Sequence, residues 1–245
     1  MSKIADEKKL SEKYYFVMDK ENPDLLKLSK ENVALAEFLV RNDSAYTKTS
    51  IKTAVSTAKY HGSTAYWFSR LNEFCQSNQG DYAEIIFGCI IAVDNENGTH
   101  LNADHIGREV LKNRIVEWGQ ENLLKSLKER DFALVKKLAE RTGTQKGARC
   151  NPSFASKFCH FACKNMFEGE DAEDNFSIYD SVLCGVLPAY ASHYGVEVKS
   201  KKQLENYEVY SQKIDEIISK SGGAISRNGF DHLLWYYHKA HPINK

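Results

Sequence analysis

Apolar residues recur in this chain at intervals of three and four from one end to the other, and almost nowhere in strict alternation. That spacing places side chains on one face of a helix, whereas alternation would place them on one face of a strand. Only 4 prolines stand among 245 residues, so little interrupts a helical run. The expected fold class is therefore all-α, with length enough for a substantial core in one large domain or two small ones.

Taken in order, residues 1–22 are charged until Tyr14, Tyr15, Phe16 and Val17 and predict a short helix with a loose start. A firmer helix is expected over 23–41, with Pro23 near its first turn and Leu25, Leu28 and Ala36 facing inward. Two more should cover 47–60 and 63–76, the second carrying the aromatic stripe Tyr66, Trp67, Phe68 and Phe74. Asp81 can cap a run containing Ile85, Ile86, Phe87, Ile90, Ile91 and Val93, too apolar for an exposed face and so expected at the centre of the fold. DNENGTHLN at 94–102 reads as a loop with a turn at Asn97-Gly98. It is the expected boundary between an N-terminal helical subdomain, 1–100, and a second one, 101–245, possibly continuous with the first. Helices are expected over 104–118 and 121–127, from Asp131 to about 141, over 200–220 with Gly222 and Gly223 ending it, and over 229–239.

The formal net charge is zero, which argues against a protein that coats nucleic acid indiscriminately. The average hides a segregation. Between 141 and 166 stand Arg141, Lys146, Arg149, Lys157 and Lys164 with no acidic residue, the local sign expected where phosphates dock. Glu168, Glu170, Asp171, Glu173 and Asp174 follow at once, a pattern more typical of a solvated loop than of a site. Six cysteines without regular spacing or a secretory leader point to a reducing, intracellular setting. Cys150, Cys159, His160 and Cys163 cluster in sequence, but no two cysteines stand two residues apart as in a structural zinc site, so thiols and no metal are expected. No apolar run reaches the length that crosses a bilayer.

Two residues stand out. Asp180 is the only charged side chain between Phe176 and Ser192, and Lys157 falls beside the stripe of Phe154, Phe158 and Phe161 instead of opposite it. An amine and a carboxylate in apolar surroundings are candidates for chemistry. Each also has a bland reading: the lysine stem can cover apolar surface while its head reaches water, and the aspartate can cap the helix that follows.

The stretch from Pro152 through Ser153, Phe154, Ala155 and Ser156 to Lys157, followed by Ile178, Tyr179 and Asp180, resembles the helix-hairpin-helix DNA glycosylases, most closely the 8-oxoguanine DNA glycosylase branch. There a hairpin reading Pro-Gly-Val-Gly-Thr-Lys opens a helix, and an apolar Pro-Val-Asp segment comes later. NGFDHLLWYYHK, from Asn228 to Lys239, looks like the closing helix of bacterial proteins of this fold. Ser153 and Ala155 stand where the family has glycine, and the interval from Lys157 to Asp180 is longer, the excess falling on 168–175. The resemblance is confined to the chain beyond Arg130.

It implies a multi-helix glycosylase-like fold with a cleft between two helical subdomains, and removal of a damaged or modified base, such as oxidised guanine, with abasic-site lyase activity. A modified base in invading phage DNA would be another such substrate. Lys157 would be the nucleophile and Asp180 its partner. Arg141, Lys146, Arg149, Ser153 and Ser156 would contact the DNA backbone, and Phe230, His232, Trp235 and Tyr236 would form the base pocket. The implied partner is double-stranded DNA with a flipped base, bound by a monomer in the cytoplasm at the nucleoid, with no membrane and no cofactor. The alternatives are a non-catalytic protein of this fold that binds DNA or a regulatory partner, and a helical interaction protein in which Lys157 and Asp180 form an ordinary ion pair.

Overall fold

A computed structural model describes residues 16–42, 63–101, 107–143, 150–241 and 243. Among them the fold is all-α: ten α-helices, two short 3-10 turns and a single isolated β-bridge. The helices are α1 (Lys30–Asn42), α2 (Thr64–Ser77), α3 (Tyr82–Asn97), α4 (Gly107–Trp118), α5 (Gln120–Lys128), α6 (Phe132–Ala139), α7 (Pro152–Met166), α8 (Ser181–His193), α9 (Tyr207–Lys220) and α10 (Arg227–Ala240). None of them is long and apolar enough to cross a membrane. The helix expected over 47–60 lies outside the described residues.

The chain forms two compact units, and they do not follow the division expected near residue 100. One unit joins the two ends of the chain, Met1–Lys52 with Asp180–Lys245; the other is the middle, Thr53–Tyr179. The stretch 94–102 is a ligatured turn. Helix α3 runs on to Asn97, Gly98 at φ +56° ends it, and Asp94, 4% exposed, collects Thr99 Oγ1 at 2.6 Å, the Leu101 amide at 3.0 Å and Arg108 Nη2 at 2.6 Å. Burial works to raise the Asp94 carboxyl, but these donors outweigh it and hold it below the usual range.

In the end-joining unit, the helix expected from Pro23 begins seven residues later, at Lys30. Residues 16–29 are instead folded back on themselves, with Met18 bridged to Leu26. Asn32 explains the difference. Its amide donates to the Val17 and Lys27 carbonyls at 2.7 and 2.8 Å while its oxygen accepts from the Val17 amide at 2.9 Å, so backbone groups that a helix would use are satisfied by a side chain. Leu25, Leu26 and Leu28 are buried from this non-helical segment. Helix α10 packs on α1 and α8. A Cβ at Gly229 would meet Val33 Cγ1 at 3.2 Å, so the glycine sits where α1 and α10 approach closely. Phe230, Leu233 and Leu234 of α10, Tyr190 of α8 and Ile214 of α9 complete the core.

In the middle unit, Ser63, Asp81 and Asp131 cap α2, α3 and α6 through bonds to backbone amides. Helices α2 and α3 meet at Gly88, where a Cβ would lie 2.2 Å from Trp67 Cε3; only glycine fits under that indole. Helix α3 is buried over much of its length, as its apolar run requires. Helix α7 is at least as central: it packs on α2, α3, α5 and α6. Nine of its residues are buried, among them Phe154, Phe158, Cys159, His160 and Cys163.

Candidate functional site

Helix α7 begins at Pro152, whose fixed φ and missing amide suit a first helical position. The connector before it is tied at both ends. The Asn151 amide donates to the Ala139 carbonyl at 3.0 Å, and the Arg114 guanidinium donates to the carbonyls of Glu140 and Arg141 at 2.7 and 2.5 Å. Arg141 itself is exposed, while Lys146 and Arg149 lie outside the described residues.

Ser156 is fully buried, and its hydroxyl is used twice inside the protein: it donates to the Ser153 carbonyl at 3.1 Å and accepts from the Tyr179 amide at 2.9 Å. That use corrects the expectation that it reaches a DNA phosphate. Ser153 is half-buried. Lys157 is half-buried, and its Nζ donates to the Asn97 carbonyl, near the C-terminus of α3, at a long 3.4 Å. One turn further on, His160 is 2% exposed. Its Nδ1 lies 2.9 Å from the Phe176 carbonyl, which can only accept, so the hydrogen is on Nδ1. The other ring nitrogen, Nε2, is buried with no hydrogen-bond partner. Burial, with the Lys164 charge adding to it, depresses this imidazole to about 4 although the Phe176 bond opposes the shift.

The residues from Asn175 to Tyr179 form a strap across the middle unit. Asn175 Nδ2 donates to the Leu127 and Lys128 carbonyls at 2.8 and 3.0 Å, closing the end of α5. Phe176 is buried with its ring edge-on to Phe132 at 6.2 Å, and Ser177 is fully buried. The acidic block before it is a short 3-10 turn, Asp171–Asp174, where Glu173 takes the Gly169 amide at 2.8 Å.

Asp180 opens the end-joining unit. It is half-buried with an extended backbone, and its carboxylate accepts from the Val182 amide at 2.7 Å, the capping bond of α8. Within the same unit it belongs to a set of ionisable groups around Tyr210. The Tyr210 phenol is pushed up by complete burial, then by the negative charge of Asp231 and, less strongly, by Cys184, Tyr207 and Asp180. Asp231, 2% exposed on α10, was missed by the sequence reading. The signal that would have found it is the one that found Asp180: a lone acid in an apolar stretch, here between Phe230 and Leu233.

Of the residues expected to line a base pocket, Phe230 is fully enclosed and edge-on to Tyr190 at 6.4 Å, which makes it a core residue with no ring face to offer. His232, Trp235 and Tyr236 are half-buried. The Lys239 ammonium lies 4.3 Å from the Trp235 ring centre, and Tyr236 is 6.2 Å from Phe16. The cysteines are free thiols: Cys150 is exposed, whereas Cys89, Cys159 and Cys163 are buried and pushed up by that burial, which disfavours thiolate chemistry. No grouping of three or more His, Cys, Asp and Glu side chains able to hold a metal ion occurs among the described residues. The chain matches no family model, and no match to it was found among curated proteins or among solved structures.

Proposed function

We propose that this chain is a helix-hairpin-helix DNA glycosylase with abasic-site lyase activity, acting on a damaged or modified base of the oxidised-guanine kind. The observation that carries the reading is the bond from the Tyr179 amide to Ser156 Oγ: the residue before Lys157 holds the residue before Asp180, 23 positions away in sequence. The two motifs that resemble the family are thus tied by their own neighbours.

A base stacked in duplex DNA is out of reach, so the target nucleotide is extruded and read by stacking and edge hydrogen bonds, for which the half-buried Trp235, Tyr236 and His232 are the candidates. As the glycosidic bond lengthens, positive charge builds on the sugar, and the Asp180 carboxylate stabilises it. The Lys157 amine, in its neutral form, attacks C1′; the bond to the base breaks and the base departs with the electron pair, taking up a proton. Loss of the amine proton and ring opening give a Schiff base, from which elimination of the 3′ phosphate cuts the strand.

Borohydride reduction tests this directly. Incubation with a panel of duplexes, each holding one altered base, should release one base and trap a covalent adduct; Lys157→Ala should trap none, and Asp180→Asn should bind DNA without releasing the base. An adduct that survives Lys157→Ala removes Lys157 from the mechanism, and full activity of Asp180→Asn removes Asp180.

A second reading is favoured by one pair of observations: the Asp180 carboxylate caps α8, and Lys157 Nζ bonds a carbonyl near the end of α3. Both are structural jobs. In that reading the chain binds DNA or a protein partner without catalysis, and wild type yields neither released base nor adduct on any duplex.

A further inference from the structure

Ser156 and His160 stand one turn apart on α7 and are both buried, at 0% and 2% exposure. At that spacing they share one helix face, and both face the strap. Ser156 Oγ accepts from the Tyr179 amide and His160 Nδ1 donates to the Phe176 carbonyl, each at 2.9 Å. With Asn175 fixed on the end of α5, the strap is hydrogen-bonded at its two ends and near its middle. Its last anchor, the Tyr179 amide, is one residue short of Asp180, so about 3.8 Å of chain separates the anchored residue's Cα from that of the proposed catalytic carboxylate.

His160 is an expensive way to make one of these bonds. Its Nδ1 is used, yet Nε2 is left in the interior with no partner, a condition buried polar groups generally avoid. A leucine there would leave no orphaned nitrogen but would lose the donor, and an asparagine could supply a donor near Nδ1 without the second ring nitrogen. Retention of the ring nitrogen at that cost is accounted for if the donor to Phe176 has a task besides packing.

We infer that Ser156 and His160 are positioning residues for Asp180: through the strap they fix the chain that delivers the carboxylate and its capped helix. The inference rests on the proposed glycosylase reading for its catalytic consequence and on the strap geometry alone for its structural one. The two amide contacts act in series, so loss of either loosens the same residue.

The test uses the full chain with His160→Leu, His160→Asn and Ser156→Ala. Single-turnover base release should fall about tenfold in His160→Leu and Ser156→Ala, the scale expected of a misplaced catalytic group. DNA affinity should be unchanged, and so should borohydride trapping on duplexes that already hold an abasic site, a step that needs Lys157 and not Asp180. His160→Asn should recover most of the rate. Unchanged base release in folded variants overturns the inference, as does a loss of base release and trapping together in step with lowered thermal stability. If wild type shows neither activity, the glycosylase reading fails separately, and amide exchange at Val182, which Asp180 caps, decides the positioning: faster exchange in His160→Leu but not in His160→Asn supports it, and unchanged exchange in both overturns it.

Discussion

Each unit buries one histidine almost completely, His238 in the unit made from the chain ends and His160 in the middle unit, and the two are held differently. His238 has a partner on both ring nitrogens: Nδ1 donates to the His241 carbonyl at 2.9 Å, which leaves Nε2 to accept from the Tyr190 hydroxyl, also at 2.9 Å. The Tyr190 oxygen in turn accepts from the Leu26 amide at 3.0 Å. This relay joins an early segment, α8 and α10, so it closes a unit whose parts come from opposite ends of the sequence. His160 makes one bond and leaves the other nitrogen bare. Where every polar group is satisfied, burial of a histidine needs no explanation beyond stability; where one is not, the fold tolerates a cost that a purely structural site would be expected to lose.

The largest effect should come from breaking the complete relay. Tyr190→Phe keeps the ring but leaves the Leu26 amide and His238 Nε2 without partners, two orphaned groups at roughly 2 kcal/mol each, so about 4 kcal/mol in all. Residue-resolved amide exchange should show that loss in α8 and α10 and spare α3 and α7. Equal loss in both units would mean that they open as one, and the contrast between them would have no thermodynamic content.

The second effect sharpens the contrast through pH. A histidine depressed to about 4 in the folded protein, against an ordinary 6.5, binds its proton more readily when unfolded. Its contribution to stability is whole above pH 6.5 and is lost as pH falls from there toward 4, to a total of roughly 3 kcal/mol. Carboxylates titrate at the lower end of this range, so the measurement is a difference: denaturant unfolding of wild type against His160→Asn, from pH 7.5 to 4.5. The gap should move steadily in the variant's favour as pH falls. A gap constant across that range would mean that the imidazole is not held neutral.

These contrasts mark what the sequence could and could not disclose. Helices α2, α3 and α6 were legible because their caps are local: Ser63, Asp81 and Asp131 bond amides two or three residues on. The segment before α1 was not, because Asn32 satisfies Val17 from fifteen residues away and propensity carries no record of such a bond. The expected helix at 200–220 is divided for a local reason that was overlooked: Asn206 caps α9 and leaves 201–205 as a 3-10 turn. Lys157 and Asp180 were legible as polar residues in apolar company. The Ser156 bond to Tyr179 was not, since it depends on the strap's path, nor was the pairing of the chain's two ends into one unit.

The smallest effect separates the two jobs available to Asp180. Its carboxylate caps α8 through the Val182 amide, and asparagine caps about as well as aspartate while alanine does not. Asp180→Ala should therefore cost about 1 kcal/mol in denaturant unfolding, whereas Asp180→Asn should leave stability nearly unchanged. Because the asparagine variant keeps the cap and loses only the charge, any loss of base release in it belongs to chemistry and not to folding. An Asp180→Asn protein as destabilised as Asp180→Ala would show that the charge, and not the capping geometry, holds the start of α8, and stability could then no longer be separated from function at this residue.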